Sequence, residues 1–235
     1  MTLQELICSS NKIVFFGGAG VSTESGIPDF RSEDGLYRMK YPYPPETMLS
    51  SDFFFAHTAQ FYDFYRDKML PLWAKPNAAH KKLAALEDAG KLLAVVTQNI
   101  DGLHQAAGSK RVHELHGSIH RNYCLKCKRA YSAEYIAQSE GVPHCACGGI
   151  IKPDVVLYGE PLNGSTVQDA LEAISEADLL IVAGTSLTVW PAAGFVNYFH
   201  GEHLVLINRS ATSLDNQCEL VIRENIGEVF SKIEL

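Results

Sequence analysis

Short apolar runs alternate with helical patterns along this chain, and that alternation constrains the possible fold more than any other feature. The helical patterns cover His80–Ala89 and Val167–Glu176. The apolar runs are Lys12–Phe16, Leu92–Thr97, Val155–Tyr158, Leu179–Ala183, Leu204–Ile207 and Glu219–Arg223. Nearly continuous runs of Val, Ile and Leu are typical of parallel strands that are covered on both faces. The sequence therefore predicts an α/β fold with a doubly wound parallel sheet.

Polar or glycine-rich turns follow four of the predicted strands. They are Gly17–Gly20, Thr97–Asn99, Gly184–Ser186 and Asn208–Arg209. In open α/β sheets, ligands bind in the crevice outside the carboxyl ends of the strands. We therefore expect these four turns to form the functional site.

Two segments do not follow the alternation, and we interpret them as insertions that build a small second domain. Residues 34–76 are rich in aromatic residues and proline and would form a helical module, whereas residues 119–151 contain four of the six cysteines. Residues 1–33, 77–118 and 152–235 would then form the main domain. At 235 residues, the chain is long enough for a large domain with a small insertion.

Charge and hydropathy exclude some classes of protein. The formal net charge of −7 argues against a general nucleic-acid-binding protein, which would normally carry an excess of basic residues. The N-terminus has no basic start followed by a long apolar run, so it does not predict a signal peptide. The apolar run around Leu179–Ala183 is far shorter than the ~20 residues that span a bilayer. We expect a cytoplasmic protein without membrane contact, whose cysteines stay reduced.

The first glycine turn has features of a phosphate-binding site. Gly18 and Gly20 would let the backbone approach a pyrophosphate closely, and the amide groups at the start of the next helix would complement its charge. Ser22 and Thr23 can add hydroxyl donors. The dinucleotide fingerprint is incomplete, because Thr23 lies where a third glycine would be and no acidic residue ends the next strand. A tight turn without a ligand is the alternative.

The polar stretch Glu24–Arg31 predicts a loop over this turn. Phe30 could stack on an aromatic ligand, and Arg31 could reach a phosphate. An ordinary surface loop is the alternative.

Four cysteines have the spacing of a structural zinc site. The pairs Cys124/Cys127 and Cys145/Cys147 are separated by 17 residues, which is typical of a zinc ribbon or knuckle. Four thiolates complete a tetrahedral shell and leave no open position for a substrate. Such a site can contribute on the order of 10 kcal/mol to local folding, which suits a small insertion. We predict a structural Zn²⁺, with four unrelated reduced cysteines as the alternative.

The turn after the second predicted strand places polar groups at the carboxyl edge of the sheet. Gln98, Asn99 and Asp101 supply two amides and a carboxylate there. Three histidines follow, His113, His116 and His120. Because imidazole titrates near neutrality, each of them could act as a general base. Their spacing does not distinguish between them, and a structural or surface role is the alternative for each.

Together these motifs resemble those of the sirtuin family and occur in that family's order. The runs that carry the resemblance are Gly18–Arg31, Thr97–His104, His116–Gly117, the two cysteine pairs and Gly184–Ser186. The resemblance covers nearly the whole chain, which is most similar to the bacterial NAD-dependent protein deacetylases. It implies a protein lysine deacylase, mainly a deacetylase, that transfers the acyl group to ADP-ribose and releases nicotinamide. A Rossmann-like domain and a small zinc domain would enclose NAD and an acylated lysine of a protein substrate.

The resemblance also implies roles for individual residues. His116 would be the base on a ribose hydroxyl, Asp101 would accept the N–H of the nicotinamide carboxamide, and Asn99 would position ribose or water. The implied NAD-binding residues are Gly18, Ala19, Gly20, Thr23, Phe30, Arg31, Gln98, Asn99, Ile100, Asp101, Gly184, Thr185, Ser186, Asn208, Asn225 and Ile226. The implied substrate-binding residues, along which the peptide would add as a strand, are Val156, Leu157, Gly159, Glu160 and Val189. The implied zinc ligands are Cys124, Cys127, Cys145 and Cys147.

Two features depart from the family pattern. Only one residue separates Cys145 from Cys147, which puts the shape of the zinc loop in question. Sirtuins that remove acidic acyl groups carry Tyr and Arg three residues apart in the helical insertion, whereas here Tyr62 has Tyr65 at that distance and Arg66 one residue further. Positions three and four apart share a helix face, so a role for Arg66 stays open. We expect acetyl and similar uncharged acyl groups.

Other functions remain open on the sequence alone. A protein mono-ADP-ribosyltransferase would share the release of nicotinamide. A non-catalytic module that binds NAD or ADP-ribose would share the cleft but lack the base, whereas His116 and Asn99 are both present. A hydride-transferring dehydrogenase is a more distant alternative.

Overall fold

The main sheet of the protein is parallel throughout. The computed structural model describes residues 1–29 and 41–235. From one edge to the other, the strands of the main sheet are β3 (Val112–Glu114), β2 (Leu92–Thr97), β1 (Ile13–Gly17), β7 (Leu179–Ala183), β8 (His203–Ile207) and β9 (Leu220–Ile222). Every neighbouring pair is parallel, so all six strands end at the same edge. The predicted doubly wound parallel sheet is confirmed.

The strand order reverses next to the first strand. From β1 the chain moves outward through β2 to β3, and it later returns to β7 on the opposite side of β1. The crevice between β1 and β7 is therefore the topological switch point, where ligands of such sheets bind. All five residues of β1 are buried, which explains why this strand has no alternation of polar and apolar residues.

Helices cover both faces of the main sheet. In the described part of the chain, the α-helices are α1 (Leu3–Ser9), α2 (Pro45–Met48), α3 (Ser51–Ala56), α4 (Thr58–Phe64), α5 (Ala78–Asp88), α6 (Leu103–Ala106), α7 (Ala133–Gln138), α8 (Gly164–Glu176) and α9 (Ile226–Ser231). On one face, Leu6 of α1, Leu83 of α5 and Phe230 of α9 join the core. On the other face, Ile174 of α8 packs in a second cluster. Among the described helices, none has both the length and the apolar character needed to cross a membrane.

Two asparagines determine where the longer helices begin. The apolar patterns predicted helices from His80 and Val167, but α5 begins at Ala78 and α8 begins at Gly164. The side chain of Asn77 accepts hydrogen bonds from the first-turn amides of α5, and Asn163 accepts one from Thr166 N. Such N-caps satisfy backbone donors that have no partner inside the helix, so the helices extend to them.

A second, smaller sheet is antiparallel and corrects one prediction. Its strands are β5 (Ala130–Tyr131), β4 (Gly117–Cys124) and β6 (Ile151–Val155). The predicted parallel strand Val155–Tyr158 is wrong, because β6 ends at Val155 and pairs with β4 in the antiparallel sense. Val155 and Leu157 of this stretch are buried in the core of the small domain rather than in the main sheet. One edge of the main sheet, next to β2, is formed by β3, a short half-buried strand that the apolar pattern did not predict.

The two inserted segments share one hydrophobic core. The aromatic residues Phe54, Phe61 and Tyr65 of the helical module lie in the same buried cluster as Ile136 and Ile151 of the cysteine-containing segment. A π-helical turn over Tyr65–Met69 continues α4. This shared core confirms the predicted small domain that combines a helical module with the cysteine cluster.

Candidate active-site cleft

One large cleft opens at the carboxyl edge of the main sheet, against the small domain. Its volume is about 790 Å³, which lies in the range typical of small-molecule and cofactor sites. It is lined by every predicted catalytic, cofactor-binding and substrate-binding residue that the structure describes: Gly18, Ala19, Gly20, Thr23, Gln98, Asn99, Ile100, Asp101, His116, Val156, Leu157, Gly159, Glu160, Gly184, Thr185, Ser186, Val189, Asn208, Asn225 and Ile226. Phe30 and Arg31, which were predicted to contact the cofactor, lie outside the described residues.

The first glycine turn packs against the turn that follows β7. Gly18 N donates to Ala183 O (3.1 Å), and Gly20 N donates to Gly184 O (2.9 Å). A Cβ on Gly20 would lie 2.7 Å from Gly184 Cα, so neither turn has room for a larger residue at this contact. The backbone at the switch point is thus exposed to the cleft without side chains that would block a pyrophosphate.

The segment after this turn is more ordered than the sequence predicted. A seven-residue 3₁₀-helix covers Ala19–Ser25, so the predicted loop is wrong for Glu24 and Ser25. Short i→i+3 bonds stabilise it, including Val21 N to Gly18 O (3.0 Å) and Gly26 N to Thr23 O (2.9 Å). The turn is therefore fixed by its own short hydrogen bonds and by those to the turn after β7.

A buried hydrogen-bond network orients Asp101. Ser22 Oγ donates to Asp101 Oδ2 (2.6 Å) and accepts from Asn99 Nδ2 (3.1 Å). Asp101 Oδ1 accepts from Leu103 N (2.9 Å), so both carboxylate oxygens are held. The sequence suggested Ser22 only as a phosphate donor. The structure instead places its hydroxyl between Asn99 and Asp101, and the residue is only 1 % exposed.

Of the three candidate histidines, only His116 lines the cleft. His113 lies in the edge strand β3, and His120 is exposed, with its Nε2 3.0 Å from Asp101 O. The Nδ1 atom of His116 lies 3.0 Å from Gln98 O. Because a carbonyl oxygen can only accept, Nδ1 carries the proton and Nε2 keeps its lone pair.

Burial sets the protonation of His116. Desolvation lowers the pKa of His116 below its usual value of 6.5, although the hydrogen bond to Gln98 O opposes this shift. The charged imidazolium is disfavoured in the cleft because water is partly excluded there. At neutral pH this side chain is therefore neutral and available as a base through Nε2.

The turns after β2 and β7 are joined across the cleft floor. Gln98 Nε2 donates to Thr185 Oγ1 (3.0 Å), and the same hydroxyl oxygen accepts from Leu187 N (3.2 Å). Gln98 N also donates to Gly17 O (2.9 Å). The polar groups at the ends of three neighbouring strands therefore form one connected surface.

The segment 156–160 connects His116 to the helical module. Val156 N donates to His116 O (3.0 Å) at one end. Further along, Tyr158 N donates to Leu49 O (2.9 Å), and Ser51 N donates to Tyr158 O (2.9 Å). This segment therefore forms the wall of the cleft on the side of the small domain.

The four predicted zinc ligands converge. The Sγ atoms of Cys124, Cys127, Cys145 and Cys147 all lie within 4.8 Å of one another. The distances from Cys124 to Cys147 and from Cys127 to Cys145 are both 3.5 Å. Sulfurs bound tetrahedrally at ~2.3 Å from one zinc ion would lie roughly 3.8 Å apart, so the donor set fits Zn²⁺.

The short gap between the last two cysteines is accommodated by a glycine turn. Cys145 N donates to Gly149 O and Gly148 N donates to Cys145 O, both at 2.8 Å. A Cβ on Gly149 would lie 2.6 Å from Cys124 Sγ, so only glycine fits beside the cluster. The single intervening residue therefore does not prevent the four sulfurs from meeting.

The residues considered for acidic acyl groups do not reach the cleft. Arg66 donates to Gly141 O (2.7 Å) and Ser139 Oγ (3.3 Å), away from the cleft. Tyr62 donates its hydroxyl to a backbone carbonyl of β6, and Tyr65 is fully buried. None of these three side chains lines the cleft.

Comparisons with known proteins agree with this geometry. A profile of the Sir2 family matches residues 18–191. The NAD-dependent protein deacetylase of Clostridium acetobutylicum is 60 % identical, over 98 % of this chain and 96 % of that protein. Among solved structures, a complex of Sir2, a p53 peptide and NAD⁺ has a TM-score of 0.85 and 39 % identity, over 99 % of this chain and 97 % of the other. Sir2Tm bound to a propionylated peptide has a TM-score of 0.85 and 38 % identity, with the same coverage. The chain belongs to the Sir2 family.

Proposed function

We propose that this protein is an NAD-dependent protein lysine deacylase that acts mainly as a deacetylase. One observation carries the proposal: a neutral imidazole, an oriented carboxylate and an open glycine turn face the same cleft. Family membership and a 60 % identical relative that is named as such a deacetylase support it. When bound, NAD supplies the ADP-ribose that accepts the acyl group, with release of nicotinamide.

The residues of the cleft divide between the parts of this co-substrate. The backbone of Gly18–Gly20 would hold the pyrophosphate, because glycine permits close approach. Asp101 would accept the carboxamide N–H of nicotinamide, since Ser22 and Leu103 hold its carboxylate in place. Thr23 would add to the pyrophosphate site, and Ile100 would hold the carboxamide together with Asp101. The remaining ribose and adenine contacts would come from Gln98, Gly184, Thr185, Ser186, Asn208, Asn225 and Ile226.

His116 would accept the proton of a ribose hydroxyl through Nε2. Its Nδ1 donates to Gln98 O, which fixes the tautomer and the orientation of the ring. Asn99, which is buried beside Ser22, would hold ribose or water in position. The segment 156–160, together with Val189, would hold the acyl peptide as an added strand.

The acyl group would be uncharged. Arg66 is engaged with Gly141 and Ser139 and does not enter the cleft, so it offers no cation to an acidic acyl group. A Sir2 structure with a propionylated peptide supports a range that extends beyond acetyl.

We further propose a cytoplasmic location and the domain division predicted above, with 34–76 and 119–151 as the small domain. The second sheet supports this division, because β4 begins at Gly117 and β6 ends at Val155, close to the proposed boundaries. We propose four-thiolate zinc as a structural component only, since four protein sulfurs leave no open position.

Mass spectrometry of an acetyl-lysine peptide incubated with the enzyme and NAD tests this function. We expect loss of the acetyl mass from the peptide and the appearance of O-acetyl-ADP-ribose. His116→Ala should abolish turnover, whereas His200→Ala, which removes an exposed imidazole outside the cleft, should not. A gain of ADP-ribose mass on protein would instead identify a mono-ADP-ribosyltransferase. Unchanged turnover in His116→Ala would show that the base is misassigned.

A further inference from the structure

A half-buried ion pair lies behind the segment that forms the wall of the cleft. Lys152 Nζ is 3.0 Å from Glu160 Oε2, and the two side chains are 14 % and 24 % exposed. Lys152 belongs to β6, whereas Glu160 lies just after the turn that lines the cleft. The pair therefore connects the second sheet to the proposed substrate-binding segment.

The lysine has acceptors for all three of its donors. Besides Glu160, Lys152 Nζ donates to Val155 O (3.1 Å) and Pro153 O (3.3 Å). An ammonium group carries three N–H bonds, so this environment satisfies it completely. A charge removed from water is tolerated when it is both paired and hydrogen-bonded, and both conditions hold here.

Glu160 uses the same oxygen to close the turn. Its Oε2 accepts from Leu157 N (2.9 Å), while Glu160 N donates to Leu157 O (2.9 Å). Gly159, inside the turn, has a φ of +89°, a conformation that glycine adopts without strain. The Oε2 atom of Glu160, a residue that lines the cleft, is thus held by Lys152 and by the backbone of the turn.

The turn itself is attached at both ends to functional parts of the cleft. Val156 N is bonded to His116 O, and Tyr158 is bonded through its backbone to Leu49 and Ser51 of the helical module. A change in the conformation of residues 157–160 would therefore alter the register of the wall against which a peptide strand would lie.

We propose that Lys152 is a positioning residue for the acyl-lysine substrate. Through its ion pair with Glu160 it holds the segment 156–160 in the conformation that accepts the peptide. This inference rests on the proposed deacylase function. Glu160 itself then acts on the peptide indirectly, as the anchor of the turn, and the NAD side of the cleft does not depend on the pair.

Steady-state kinetics of Lys152→Met with an acetyl-lysine peptide test the proposal. Loss of one partner leaves a half-buried carboxylate uncompensated, so we expect the peptide KM to rise roughly tenfold or more. The KM for NAD should change by less than about twofold, because the change is confined to the peptide wall. Lys152→Arg, which keeps the charge, should restore most of the peptide affinity.

A second pair of variants keeps the test informative if Lys152→Met folds poorly. Glu160→Gln keeps an acceptor for Leu157 N but loses the charge, and the double variant Lys152→Met/Glu160→Gln leaves no lone charge. We expect the double variant to bind peptide better than Lys152→Met, which is the signature of direct coupling. Lys12→Met, which breaks the exposed pair with Glu176 (3.5 Å), is the matched control and should be silent.

Calorimetric binding of the acetyl-lysine peptide to each variant provides a readout besides activity. If the wild type binds the peptide but does not deacylate it, the proposed function fails while the role of Lys152 in binding is still measured. Equal losses of peptide and NAD affinity in Lys152→Met, or an unchanged peptide affinity, would overturn the positioning role. Additive effects in the double variant would also overturn it.

Discussion

Gly184→Ala tests the close approach of the two turns that form the floor of the cleft. Gly184 has a φ of +61°, and a Cβ there would lie 2.5 Å from Val21 N and 2.7 Å from Gly20 C. Relaxed contacts between carbon atoms are about 3.5–4.0 Å, and backbone atoms cannot rotate away as a side chain can. The turn proposed to hold the pyrophosphate must therefore move by roughly 1 Å.

The magnitude follows from two separate costs. A left-handed backbone costs a residue with a Cβ about 1–2 kcal/mol. Forcing an extra carbon into a packed site costs about 1–3 kcal/mol more. We expect the free energy of unfolding to fall by about 2–5 kcal/mol, which for a chain of this size lowers Tm by roughly 4–20 °C. Because a ~1 Å misplacement can cost about 100-fold in rate, NAD-dependent turnover should fall at least tenfold.

Gly90→Ala is the matched control. Gly90 has nearly the same conformation, with a φ of +73°, but a Cβ there would meet no atom within 4 Å. The free energy of unfolding of this variant should fall only by the backbone cost of about 1–2 kcal/mol, and its affinity for NAD should be unchanged. Urea unfolding and calorimetric titration with NAD measure both effects. Equal destabilisation of the two variants, with wild-type NAD affinity in Gly184→Ala, would refute the close-packing argument.

The remaining predictions concern the pH dependence of activity and stability, the proposed zinc site and the acyl preference. Burial lowers the pKa of His116, so kcat/KM should lose activity in acid with a midpoint below pH 6.5. A pH–rate profile measures this midpoint. Burial also lowers the pKa of His80 to about 4 and of His104 to about 3, so the unfolded state binds more protons in acid. The free energy of unfolding should therefore decrease below pH 6.5 by up to ~1.4 kcal/mol per pH unit for each ring. Measured by urea unfolding at a series of pH values, this decrease should be less steep for His104→Phe. For Cys124→Ala, metal analysis should show loss of bound zinc, and Tm should be lower than in the wild type. Succinyl peptides should be poor substrates by mass spectrometry, and equally poor for Arg66→Ala.

The sequence was most informative where burial is complete. The predicted strands Leu92–Thr97 and Leu179–Ala183 match the observed strands residue for residue, because a parallel strand covered on both faces has a continuous apolar run. The position of the cleft followed from the same fact, since parallel strands end at one edge. The zinc cluster was predictable because its ligand spacing is local.

Features that depend on distant partners were not predictable from spacing or local pattern, and the choice of His116 depended on the resemblance to a family. The edge strand β3 is short and only half-buried, so it has no apolar run. Nothing in their spacing distinguishes His116 from His113 and His120, because the distinction depends on Gln98 O, eighteen residues away in sequence. The contact of Ser22 with Asp101 joins residues 79 apart, and no local pattern reports it.

The position of the proposed base depends on how the small domain folds. His116 is followed at once by β4, whose first residue, Gly117, has a φ of +76° and a Cβ position only 1.8 Å from Asp154 O. At this point the backbones of β4 and β6 are in contact, and Val156 N, directly after β6, donates to His116 O. The other end of β4 is Cys124, a proposed zinc ligand. Zinc is therefore linked to the imidazole through a single strand of eight residues. Loss of the metal should disturb the orientation of His116 as well as the stability of the small domain, although four thiolates would leave zinc no open position for a substrate.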